Sequence, residues 1–126
     1  MMARIFLWAT AAVFIAFGLW GLLSPEAMVE NFGISLVSPD SKIMIRASYG
    51  GFLIGEGLLF GWCALSQDRV RFGLAAVALM TAPILLSRLL GMAIDGATSP
   101  YHQAYVAIEL IGVGLALMFL RKAPSV

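Results

Sequence analysis

Long apolar stretches, separated by short polar ones, run the length of this chain. The first, "IFLWATAAVFIAFGLWGLL" over residues 5–23, holds no charge at all. Runs this continuous read as helices, because the alternation of a half-buried strand or a membrane barrel is missing. A helix of about 20 apolar residues crosses the ~30 Å of bilayer hydrocarbon. The pattern predicts four spans, over about residues 4–23, 42–65, 70–92 and 101–120. The expected fold is all-α: an integral membrane four-helix bundle of antiparallel spans, one domain over residues 1–126. A cleaved signal peptide is the rival reading of the first run. Its apolar core is too long and "GLWGLLSPEA" offers no small-x-small cleavage site, so a retained first span is expected.

The polar breaks carry helix-boundary signals. Ser24-Pro25, Ser38-Pro39 and Ser99-Pro100 each place serine at an N-cap and proline at the first helical position. There the serine oxygen satisfies an orphan amide, and proline adds no further donor. The second and third pairs are expected to start spans two and four. The first starts "PEAMVENFG", an amphipathic segment over about residues 25–32 that lies in the interface and stops at Gly33. Gly96, after Asp95, reads as the C-terminal cap of span three.

Composition strengthens the membrane reading: 61% of the 126 residues are hydrophobic and 12% charged, with mean hydropathy +0.95. Soluble domains carry about 25% charged residues. A net charge of +1 gives no footprint for a nucleic-acid partner, and neither metal-ligand spacing nor a glycine-rich phosphate loop is present. No metal and no cofactor are expected. The single cysteine, Cys63, cannot form an intramolecular disulfide. Arg4, Arg69, Arg71, Arg121 and Lys122 fall on one side of the four spans and only Lys42 on the other. The positive-inside rule therefore puts both termini in the cytoplasm, with the protein in a bacterial inner (plasma) membrane. Trp8 and Trp62 then mark the inner boundary, Trp20 and Tyr101 the outer one.

Charges inside the spans are the candidate chemistry. At ~1.5 Å per residue, Arg46 and Arg88 lie about 6 Å below the outer boundary, Glu109 about 12 Å and Glu56 about 21 Å. Asp95 and His102 sit at the rim. A lone charge at a span centre costs about 2.5–3.5 kcal/mol, so opposite charges on different helices are expected to meet. The expected meeting is Arg88 with Glu109, with Arg46 and Tyr49 close by. Asp95 follows Arg88 by seven residues, and Glu56 follows Tyr49 by the same interval, so each pair shares a helix face to within about 20°. Glu56 has no cation at its level; its carboxyl is expected to titrate high, with Thr10 as a hydrogen-bonding neighbour. Two readings of the cluster stand: a clamp that fixes helix register, or a polar pocket. Snorkelling explains either arginine singly but neither glutamate.

Span two carries Gly50, Gly51, Gly55, Gly57 and Gly61, and small residues four apart allow close backbone approach. Ala12 and Ala16 of span one and Gly112 and Ala116 of span four are the expected partners. Pro83 should kink span three near Met80.

At "RASYGGFLIGEGLL" and "SRLLGMAIDGATSPYHQAYVAIEL" the chain resembles a bacterial family of small four-span membrane proteins, the domain of unknown function 4345 family, broadly DoxX-like. The matching elements are Arg46, Tyr49, Gly50, Gly51, Arg88, Leu89, Asp95, Gly96 and Glu109, and the resemblance spans nearly the whole chain. Ser87 stands where a glycine is expected before the arginine. The resemblance implies a four-helix bundle and supplies no reaction.

The expected function is that of a non-enzymatic binding or accessory protein. Its outer pocket of Arg46, Tyr49, Glu56, Arg88, Asp95 and Glu109, with Thr10 and His102 as secondary candidates, would hold a small hydrophobic or anionic ligand, a lipid, or a partner helix. Membrane lipid, a larger membrane complex and a homo-oligomer are the expected partners. The alternatives are an isomerase-like enzyme on a hydrophobic substrate, with Glu56 or Glu109 as general acid, and a proton-coupled carrier. Four spans without inverted halves weigh against a carrier.

Overall fold

The computed structural model describes residues 1–96 and 99–122. Helix α1 is Met2–Leu23, followed by the short α2, Pro25–Val29, and a 3-10 turn over Glu30–Phe32. The second span is composite: α3 (Pro39–Ile45), a π-helical turn over Arg46–Gly51, then α4 (Phe52–Ala64). Helices α5 (Gln67–Asp95) and α6 (Pro100–Lys122) complete the chain. Among the described residues there is no strand, and four helical segments are long and apolar enough to cross a membrane. The protein is a multi-pass helical membrane bundle.

The boundary signals act as their chemistry requires. Ser38 Oγ accepts from Ser41 N and Ser41 Oγ accepts from Ser38 N, a reciprocal capping box. Ser99 Oγ accepts from His102 N at 3.4 Å. Ser24 makes no side-chain cap: it also ends α1, where its own N–H bonds Trp20 O. Gly33 and Gly96 adopt φ of 72° and 69°, the left-handed conformation that glycine enters without steric penalty.

Helix α1 lies along α4 and the π turn, α4 along α5, and α5 along α6, whereas the backbones of α1 and α6 stay apart and large side chains such as Phe6 and Phe119, with rings 5.7 Å apart, bridge them. Sequence numbers that ascend on α1 descend on its neighbour. Arg4 Nε donates to Ala64 O at 2.8 Å, Gly57 faces Ala11 and Ile15, and Gly50 abuts the Leu22 backbone. A methyl group on Gly50 would stand 3.0 Å from Leu22 Cα, and one on Gly57 only 2.6 Å from Ile15 Cγ1. This seam is the glycine face expected of span two, but its partners are Ala11, Gly18 and Gly21 rather than Ala12 and Ala16. Gly51, Gly55 and Gly112 face open space, because α4 turns its other side away from α1, and α6 meets α5 along one narrow stripe with Ala116 in it.

The core sits nearer the Arg4 end. Leu7, Phe60, Cys63, Leu74, Val77 and Ala116 are fully or almost fully enclosed, and Phe14 meets the Phe60 ring edge-on at 5.2 Å. Helix α5 continues through Pro83 to Asp95.

Candidate functional site

Arg88 on α5 and Glu109 on α6 meet across the seam between these helices. Arg88 Nη2 donates to Glu109 Oε1 at 2.8 Å and Nε to Oε2 at 3.1 Å. Both side chains are largely buried, and fork-to-fork geometry of this kind is the strong form of a carboxylate–guanidinium pair. The third guanidinium nitrogen, Nη1, lies 3.3 Å from His102 Nδ1. Arginine can only donate, so Nδ1 accepts and the ring proton is on Nε2. The guanidinium carbon also lies 4.9 Å from the centre of the Tyr105 ring, within cation–π range.

Residues 102, 105 and 109 project on one face of α6 by their spacing of three and four. That spacing is a signal from which the part played by Tyr105 could have been read. Phe32 had no such signal. The 3-10 turn that Gly33 ends brings its ring to 5.2 Å from His102 and 5.8 Å from Tyr105. Phe17 of α1 lies 6.0 Å from Tyr105. The connector after α1 thus seats an aromatic lid beside the ion pair.

Two grooves flank this cluster. One, about 510 Å³, follows α5 and is lined by Pro83, Ile84, Ser87, Arg88, Met92 and Asp95, with His102 across from them. The other, about 240 Å³, lies between α1, the connector and α6, and is walled by Phe17, Trp20, Phe32 and Tyr105. Asp95 and Arg88 share the first groove, as their seven-residue separation predicts.

The other candidates are placed differently. Arg46 does not approach Arg88: its Nη1 donates to Leu22 O at the end of α1. The second span lies against α1, where unsatisfied terminal carbonyls and the negative end of the helix dipole attract the guanidinium. Tyr49 is 47% exposed while Glu56 is 4% exposed, so the two do not share a burial face. The π turn that holds Tyr49 adds a residue to one helical turn and breaks the phase that an ideal helix would give. Glu56 Oε2 has no hydrogen-bond partner. Thr10 is not that partner, since its hydroxyl donates to Phe6 O in its own helix. Thr81 Oγ1 is also buried without a partner. It lies seven residues before Arg88 on α5, a position that sequence reasoning passed over.

At the start of the second span, Lys42 of α3 forms an ion pair with Glu26 of the connector helix α2, both partners about half exposed. The hydrogen bond from Lys42, the largest influence on Glu26, helps hold its carboxyl below the usual 4.5. No group of three or more histidine, cysteine, aspartate or glutamate side chains that could hold a metal occurs among the described residues.

Comparison with the curated proteins and with the solved structures gives no match. A family model described as domain of unknown function 4345 matches residues 2–120. The chain therefore belongs to the domain of unknown function 4345 family.

Proposed function

We propose that this is a bacterial inner-membrane protein of antiparallel spans, with both termini cytoplasmic, that holds a small or lipid-like amphipathic molecule in the groove between α5 and α6. The observation that carries the reading is the make-up of that groove. Ser87, Arg88, Asp95 and His102 supply polar groups towards one end, and Pro83 and Ile84 supply an apolar floor deeper along α5. Few precisely held polar groups on an apolar wall are what a binding site for an amphipath requires. The collection of Arg4, Arg69, Arg71, Arg121 and Lys122 near the opposite end supports the orientation.

The test is mass spectrometry of small molecules retained by the detergent-extracted protein, compared with Gly91→Leu. A methyl group on Gly91 meets nothing closer than 3.9 Å, so the side chain of a leucine there starts in open space and occupies groove volume. Retention of an amphipath by the parent and its loss in Gly91→Leu is the expected result. Equal retention by both, or none by either, overturns the reading; a stable large complex in the second case would favour an accessory subunit instead.

A second reading, proton transfer at Glu56 in an isomerase or a carrier, draws on the unpartnered Glu56 Oε2. Dissipation of a pH gradient by proteoliposomes, abolished in Glu56→Gln, would support it.

A further inference from the structure

The groove along α5 presents its chemistry in a fixed order. Pro83 and Ile84 come first, then Arg88 with His102 opposite, and Asp95 last. Asp95 does not point away from the others. Its Oδ2 lies 3.9 Å from where a methyl group on Gly91 would stand, so the carboxylate folds back over the bare backbone of Gly91. Gly91 is three residues beyond Arg88, a separation of about one helical turn, or ~5 Å along the axis.

The two charged stations differ in how far they are already satisfied. Arg88 is matched by Glu109 and donates to His102 as well. Among the described residues, Asp95 meets no cation and no hydrogen-bond donor. Arg88 and Glu109 cancel, and Asp95 leaves the groove with one negative charge in excess. A simple anion, the ligand that two arginines suggested, is therefore disfavoured: Arg46 is absent from the groove and Arg88 is neutralised.

We infer, resting on the groove reading above, that the occupant is a zwitterionic phospholipid with a primary amine in its head group. The order along α5 is the order within such a lipid. Acyl chain lies on Pro83 and Ile84, phosphate takes the remaining N–H groups of Arg88 and the Nε2–H of His102, and the ammonium reaches Asp95. The linker between phosphate and ammonium spans the turn that Gly91 leaves clear. A quaternary ammonium has no N–H to give Asp95, and a glycerol head group brings no cation to it.

Native mass spectrometry of the detergent-extracted protein tests this, using an equimolar mixture of phospholipids with ethanolamine, choline and glycerol head groups and identical acyl chains. The ethanolamine lipid should be retained about twofold to fivefold over the other two, the range expected of one solvent-accessible ion pair. Asp95→Asn should bring the ratios to one while total retention persists, and Gly91→Leu should lower retention of all three. Equal retention of the three lipids by the parent protein, or a preference that survives Asp95→Asn, overturns the amine assignment and leaves the groove standing. Retention that Gly91→Leu does not alter, or none at all, overturns both.

Discussion

Arg88 Nη2 lies 2.8 Å from Glu109 Oε1, a contact between the third and fourth membrane-spanning segments at which each charge is the other's main compensation. Taking Glu109 away leaves a largely buried guanidinium without its anion. Glu109→Gln should lower stability by roughly 1.5–3 kcal/mol, the range for a hydrogen bond to a charged group. Thermal unfolding in detergent measures it. The double replacement Arg88→Met with Glu109→Leu should recover part of the loss, because an apolar pair leaves no charge unmatched. A double variant less stable than either single one would contradict this account.

Arg46 and Arg88 separate cleanly by experiment. Arg46 ties the second span to Leu22 O and lines neither groove. Arg46→Gln should cost about 1 kcal/mol of stability and leave the retained amphipath unchanged. Loss of retention in this variant would place Arg46 in the site after all.

Neighbouring glycines should behave as opposites. Gly50→Ala puts a methyl group 3.0 Å from the Leu22 backbone, whereas Gly51→Ala meets nothing within 4 Å. The first should destabilise by about 1–3 kcal/mol, as overpacking does. The second should be neutral or slightly stabilising through helix propensity. Melting temperatures of the two variants decide the matter.

Glu26 gives a pH signature with a defined sign. Its carboxyl is held below 4.5 in the folded protein by Lys42, so the pair supports folding above that pH. The support fades as pH falls through the lowered value. The stability difference between the parent and Glu26→Gln should be small, should shrink with added salt, and should vanish in acid. A difference that grows on acidification would refute the assignment.

Thr81 offers a test without a charge. Its buried hydroxyl lacks a partner, and an unsatisfied polar group opposes folding. Thr81→Val, close to isosteric, should melt at the same temperature or higher. A clear drop would mean that the hydroxyl is satisfied in the membrane.

Much of the fold was legible because it follows from local chemistry. Ser38 and Ser99 cap the helices that their Ser-Pro pairs announce, and Gly33 and Gly96 end theirs in the left-handed conformation. The pairing of Arg88 with Glu109 was legible because a buried carboxylate needs a cation near its level, although depth did not separate Arg88 from Arg46. Arg46 was not, because a backbone carbonyl competes for a guanidinium as an acceptor and leaves no mark in the sequence. The break between Tyr49 and Glu56 was hidden for a related reason: an ideal periodicity of 3.6 residues carries no record of a π turn. Phe32 was beyond reach, as its place depends on how the connector after α1 folds back.

The wide turn at Arg46–Gly51 also works as a built-in spacer between two halves of one rod. Because the wide turn already houses one residue more than an α-turn, excising a residue from it would let the rod tighten to ordinary pitch with its two halves keeping their relative facing. Lys42 and Arg46 would stay on the side of Glu26 and Leu22, and Phe60 and Cys63 would stay where they are. The same deletion inside α4 would instead turn the halves by about 100° against each other, so the wide turn is where this rod tolerates a change of length.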